Sequence, residues 1–255
     1  MSGHTKQPAR YVYAITDDIE ARGYGKIGID GASVYTIALG PLAAVVSDAP
    51  NRKIRPERSK LAAHHAVVTQ LMTKRTVLPL VFGTIAGSAQ AVSDILKNNH
   101  NLFVEQLKRL DGKVEMGLKV TWDVPNIFEY FVNRHRNLAA LRDDLVAKAG
   151  PSRDEKIELG RTFEHLLLQE READTKKVVR VLSRHCAEIK QNKPRQEREI
   201  MRLACLVGRE ERKDFEDGVF EAAKLFDDSY AFDFTGPWSP YNFVSGLQLN
   251  IGTGT

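Results

Sequence analysis

The stretch Thr76–Ala91 reads TVLPLVFGTIAGSAQA. Its first part, Val77–Phe82, is an apolar run of strand length and strand composition. Glycines at 83 and 87 break it, and Ser88 opens a helical pattern that reaches about Leu110. An uncharged apolar run between two amphipathic helical patterns predicts a strand in the middle of a sheet. The chain before it is expected to fold onto this strand as one small α+β unit. The chain after it is expected to form a second unit, attached through the following helix.

Working towards the N-terminus, residues 57–75 place Leu61, His65, Val68 and Met72 on one helical stripe, with His64 and Leu71 beside it. Ahead of that helix lies a basic cluster, Arg52, Lys53, Arg55, Arg58 and Lys60, opposed only by Glu57. Such a cluster is either a solvated loop running into a helix start or a docking patch for an acidic partner. Val34–Leu39 and Leu42–Ser47 are strands separated by the turn signal Gly40-Pro41. Tyr11–Ile15 (YVYAI) is a β-branched and aromatic strand, and Asp17–Lys26 is a charged loop or short helical turn. Residues 1–9 are polar and are expected to be disordered.

Towards the C-terminus, Asp111-Gly112 is a turn. Val114, Met116, Leu118, Val120 and Trp122 then alternate strictly with Lys113, Glu115, Gly117, Lys119 and Thr121. Period two over that length predicts a strand with one buried face. A helix follows Pro125, with Ile127, Phe131, Leu138, Leu141 and Leu145 along one side, and Gly150-Pro151 ends it. Ser152 with Glu155 three residues on is a capping-box pattern opening a helical region to about Lys193, where Pro194 stops it. These two helices are expected to form an antiparallel hairpin. Met201–Gly208 is a strand, Glu210–Phe226 a helix and Tyr230–Phe234 a strand. The expected class is α+β, with domains at 1–111 and 112–235 and a tail at 236–255. From Thr235 onward there is no charged residue. Leu247, Leu249 and Ile251 alternate with polar residues there, and such a tail either docks on the finished domain or binds a partner.

Composition bounds the function. A chain of 255 residues with 42% hydrophobic and 27% charged residues has the balance of an ordinary globular protein of two domains. Residues 1–111 carry a net charge of +5 and residues 112–255 a net of −1, a bias too weak to imply nucleic acid. No apolar segment at the N-terminus has the length of a membrane span or signal peptide. The two cysteines, Cys186 and Cys205, are expected to be reduced, one in a helical pattern and one in a strand.

Sequence motifs for catalysis fail their context tests. Gly23-Tyr24-Gly25-Lys26-Ile27-Gly28 matches GxGxxG, but loop and strand residues follow it, not the helix that a dinucleotide site needs. Gly83–Ser88 precedes a helix but lacks the phosphate-loop lysine. His64 and His65 are adjacent, so their side chains diverge by roughly 100° on a helix and do not form a ligand pair. A core or interface role is expected for them; an enzyme using either would need a bound metal or ligand. Trp238, Tyr241 and Phe243 sit among prolines with no Lys or Arg, which suits an anchor better than a base-stacking platform.

Taken together, YVYAI (11–15), LAAVVSDAP (42–50), AHHAVV (63–68), VLPLVFGTIA (77–86), GKVEMGLKVTWD (112–123), LACLVGRE (203–210) and TGPWSPYNFV (235–244) resemble the gas vesicle protein F/L family (GvpF/GvpL). The resemblance spans about residues 10–244. One departure is Val81, where many members carry a basic residue. The resemblance implies two α+β domains, at least one of them ferredoxin-like. It implies a non-enzymatic accessory or minor structural protein of gas vesicles, the gas-filled buoyancy compartments of the cytoplasm. The implied partners are the small hydrophobic shell protein (GvpA-type) and other gas vesicle accessory proteins, with a role in nucleation and assembly. No cofactor, metal, nucleic acid or membrane is implied. The exposed candidates for the interaction surface are Arg52, Lys53, Arg55, Trp238, Tyr241 and Phe243. The alternative reading is an RNA-binding or regulatory ferredoxin-like module, motivated by the basic N-terminal half.

Overall fold

The structure is a computed structural model that describes residues 8–20 and 22–244. It resolves into two compact units, Met1–Glu115 with Pro237–Thr255, and Met116–Gly236.

The first unit is built on a mixed-length antiparallel sheet. Its strands are β1 (Ala9–Thr16), β2 (Gly23–Gly25), β3 (Val34–Leu39), β4 (Leu42–Ala49), β5 (Val77–Pro79) and β6 (Ile85–Ala86). The helices are α1 (Arg58–Met72), α2 (Ala89–Asn98) and α3 (His100–Leu110). Strand order is β2-β3-β4-β1-β5, with β6 also paired to β1. β1 and β4 are buried almost continuously, which is why their sequences do not alternate.

The expectation that Val77–Phe82 lies in the middle of the sheet is corrected. Residues 77–79 and 85–86 both pair with β1, at its two ends, so together they form one interrupted outer strand. Between them the chain bulges outward, held by Leu80 N–H to Tyr13 C=O and Val12 N–H to Thr84 C=O, both 2.9 Å. An edge position tolerates Pro79, which has no N–H to give to a second neighbour. The run is apolar because α1 and α3 pack against it, not because strands flank it. Val81, at the tip of the bulge, is 76% exposed.

The expected helix from 88 to 110 is two helices. Ser88 caps α2 as its hydroxyl accepts from Ala91 N–H. The break falls at Asn99, whose side-chain amide donates to the Ile95 carbonyl at 2.9 Å and so satisfies the end of α2.

The glycines of the GxGxxG match serve the loop after β1. Gly25 has φ +82°, and a Cβ on Gly28 would stand 2.6 Å from the Tyr13 hydroxyl and 2.8 Å from the Ala32 carbonyl. That hydroxyl cannot yield, because it accepts from Ile29 N–H and bonds Ser47 Oγ, both at 3.0 Å. Gly28→Ala is therefore expected to cost roughly 1–3 kcal/mol by overpacking, read as a lowered urea midpoint at unchanged slope.

The second unit uses β7 (Lys113–Trp122), whose first residues belong to the first unit. It continues through α4 (Ile127–Arg134), α5 (Arg136–Ala147), α6 (Arg153–Leu182), β8 (Glu188–Asn192), β9 (Glu199–Gly208), α7 (Arg212–Ala223) and β10 (Tyr230–Trp238). The sheet order β10-β7-β9-β8 is 4-1-3-2 in chain order. Trp122, Phe131, Leu138, Val178, Cys205 and Phe215 are among its buried core.

Three expectations here are corrected. The helix after Pro125 breaks at His135, whose imidazole bonds Glu170 on α6 at 2.8 Å. The helix from Ser152 carries the expected capping box but ends at Leu182, not near Lys193. Residues 188–192 are instead the end strand β8, paired with β9 from Glu188↔Leu206 onward. Its sequence, EIKQN, has the charged character that keeps edge strands from pairing further. Cys186 therefore precedes a strand and is not helical; Cys186 and Cys205 are not joined in a disulfide.

Candidate functional site

The first unit carries a polar seam inside its core. β1 brings Tyr11 and Tyr13 to the face covered by α1, and α1 brings His64 down onto them. His64 is 1% exposed. Its Nδ1 lies 2.9 Å from the Tyr11 hydroxyl and its Nε2 2.9 Å from the Tyr241 hydroxyl. Tyr11 Oη also accepts from Gly83 N–H at 3.0 Å. A neutral imidazole donates at one ring nitrogen and accepts at the other, so the two tyrosine hydroxyls engage both nitrogens of His64 in either tautomer. Burial, with His65 as a lesser contributor, lowers the His64 pKa to about 4. Burial likewise pushes the Tyr11 and Tyr241 hydroxyls well above the usual phenol range.

Tyr241 belongs to residues 237–244, which fold into the first unit. The neighbouring residues fasten the same segment. Asn242 donates its backbone N–H to Glu115 at 2.9 Å and its side-chain amide to the same carboxylate at 2.6 Å. Arg109 donates to the Phe243 carbonyl, and the Phe243 ring is wholly buried. The expected exposure of Phe243 is therefore corrected, and Tyr241 is half-buried with its hydroxyl engaged. Trp238 is 47% exposed. Leu247, Leu249 and Ile251 lie outside the described residues.

Arg52, Lys53 and Arg55 are exposed on the loop between β4 and α1. They line a cleft of about 560 Å³ together with Ile29, Asp30 and Ile54. Asp30 has φ +54°, a left-handed conformation uncommon outside glycine.

In the second unit, Leu168, Arg171, Glu172, Thr175 and Lys176 share one face of α6, at spacings of three and four. With Ile200, Met201 and Leu203 of β9 they line a groove of about 490 Å³. Leu168 is 54% exposed there, and Glu172 and Lys176 pair at 2.6 Å. Sequence reasoning did not single out this groove. Its signal was Leu168, an apolar residue next to the polar run Gln169–Arg171.

Neither ring nitrogen of His64 is available to a substrate or metal, and among the described residues no group of three His, Cys, Asp or Glu side chains is placed to hold a metal ion. No helix among the described residues is long and apolar enough to cross a membrane.

The family described as gas vesicle synthesis protein GvpL/GvpF matches residues 9–245. Gas vesicle protein F of Streptomyces sp. (strain CB03234) is 27% identical, over 86% of this chain and 91% of that protein. Gas vesicle protein L of the same strain is 28% identical, over 95% of each. The crystal structure of the gas vesicle protein GvpF from Anabaena sp. PCC7120 superposes with a TM-score of 0.81 at 25% identity, covering 93% of this chain and 98% of that one.

Proposed function

We propose a function from one premise: this chain belongs to the gas vesicle synthesis protein GvpL/GvpF family and is a gas vesicle-associated protein. It acts without catalysis, as an accessory protein that binds the hydrophobic shell subunit and assists nucleation and assembly of the vesicle wall. A free shell subunit exposes apolar surface and self-associates unless that surface is covered.

The observation that carries this reading is the groove beside α6. Its walls include apolar Ile200, Met201 and Leu203, its lip is the exposed Leu168, and charged side chains rim it. Ile200, Met201 and Leu203 are themselves buried, so the apolar surface open to an incoming segment is centred on Leu168, set among polar and charged side chains.

The test is co-expression with the shell subunit and recovery of the soluble complex. Leu168→Glu is expected to lower recovery roughly tenfold, since burying the rest of a leucine is worth about 1–1.5 kcal/mol. Its melting curve should stay unchanged, because Leu168 is more than half exposed already. Equal recovery with the variant would exclude this groove. Failure of the unaltered chain to hold any shell subunit in solution would exclude the escort role.

A further inference from the structure

We propose that the cleft beside the loop between β4 and α1 is a docking site for an acidic peptide segment of a soluble protein partner. It is a different surface from the groove beside α6, and it stands whether or not that groove takes the shell subunit.

The charge balance of the cleft points to an anionic occupant. Arg52, Lys53 and Arg55 have no ion-pair or hydrogen-bonded side-chain partner among the described residues. The neighbouring charges are already matched. Arg10 faces Asp48 at 3.4 Å, Tyr35 donates to Asp48 at 2.7 Å, and Lys60 pairs with Glu57 at 3.0 Å. What remains is two guanidinium groups and an ammonium set against the single carboxylate of Asp30. Three like charges within four residues repel one another, and an acidic ligand relieves that repulsion.

The loop that presents these charges is held in place. Ile54 is half-buried against the core of the first unit. Arg52 N–H donates to the Pro50 carbonyl at 2.8 Å, and Glu57 N–H to the Arg55 carbonyl at 2.9 Å. Binding to an ordered backbone forfeits less entropy than binding to a loose one.

The rest of the lining selects a peptide over a phosphate chain. Asp30 sits in the same wall and opposes a uniform polyanion. The aromatic side chain of the lining, Tyr11, has no exposed surface and packs against Tyr13 and His64, so it offers no face for a base. Pro50 and Ile54 supply apolar contact for a side chain between two carboxylates. The volume, about 560 Å³, falls within the range of built ligand sites.

The experiment uses the full chain and a fluorescent peptide of Glu and Asp with interspersed Leu, followed by anisotropy at low ionic strength. Binding is expected, with affinity falling as salt is raised. The combined variant Arg52→Ala, Lys53→Ala and Arg55→Ala should weaken it tenfold or more on the order expected for several charge contacts, with an unchanged circular dichroism melt. Ile54→Ser should weaken the peptide but not a polyphosphate competitor. Three results would overturn the proposal. The unaltered protein fails to bind the peptide, or the triple variant binds it equally well. In the third, a single-stranded oligonucleotide or polyphosphate displaces the peptide at lower concentration and loses its own binding in the triple variant, making the site a phosphate site.

Discussion

Phe243→Ala is expected to destabilise the first unit by about 3–5 kcal/mol, the usual cost of emptying a fully buried phenylalanine site. The ring has no exposed surface, and the segment around it is fixed on three sides. Arg109 holds its carbonyl, Asn242 holds the buried carboxylate of Glu115, and Tyr241 holds His64. A domain has only about 5–15 kcal/mol in total, so the variant should melt roughly 10 °C or more lower, at about 3–5 °C per kcal/mol for a unit between the small and the larger domain sizes. A melt within a few degrees of the unaltered chain would show that residues 237–244 are not part of the first unit's cooperative core. The same geometry governs how deletions are read. Cutting the chain after Thr235 removes both hydrogen bonds that Asn242 gives to the carboxylate of Glu115, which is only 7% exposed. Loss of shell-subunit binding in such a truncation would then report a damaged first unit, not a missing contact. Trp238→Ala is the cleaner probe of a direct role: the side chain is 47% exposed, so its removal leaves the core intact.

Local chemistry made much of this fold legible. The alternation from Lys113 to Trp122 places β7, with Val114, Met116, Leu118, Val120 and Trp122 all buried, while Glu115 on the other face is buried too. Ser152 and Glu155 close their capping box as spacing alone requires. The failures share a cause, which is information carried by distant residues. An apolar run such as Val77–Phe82 is equally compatible with a central strand and with an edge strand roofed by helices, and only the packing of α1 and α3 separates them. EIKQN was invisible as a strand because an end strand with polar side chains lacks the hydrophobic alternation that marks a half-buried one. Asn99 and His135 break helical periodicity through side-chain bonds, to Ile95 and Glu170, that no spacing rule predicts. The seam at His64 pairs residues 177 positions apart in the chain. The sequence could place His64 beside an apolar stripe and Tyr241 in an uncharged tail, but nothing short of the fold could join them.

That seam makes the first unit acid-sensitive over a defined range. In the unfolded chain His64 titrates near its ordinary value of 6.5, whereas in the folded chain burial lowers it to about 4. Above pH 6.5 the imidazole is neutral in both states and the full stability is present. As pH falls from 6.5 towards 4 the unfolded chain takes up a proton that the folded chain refuses, so stability falls by about 1.4 kcal/mol per pH unit, roughly 3 kcal/mol across the range. Below about 4 the folded imidazole takes its proton as well, both ring nitrogens then donate, and stability stops falling on this account. His64→Phe removes the titration while keeping a ring in the site. Its loss of the two tyrosine partners should lower stability at pH 7 by about 1–3 kcal/mol, yet flatten the decline between pH 6.5 and 4. Urea midpoints for both chains across that interval give the comparison. If the two decline in parallel, the acid sensitivity comes from other groups, and His64 is protonated in the folded protein as readily as in the unfolded one.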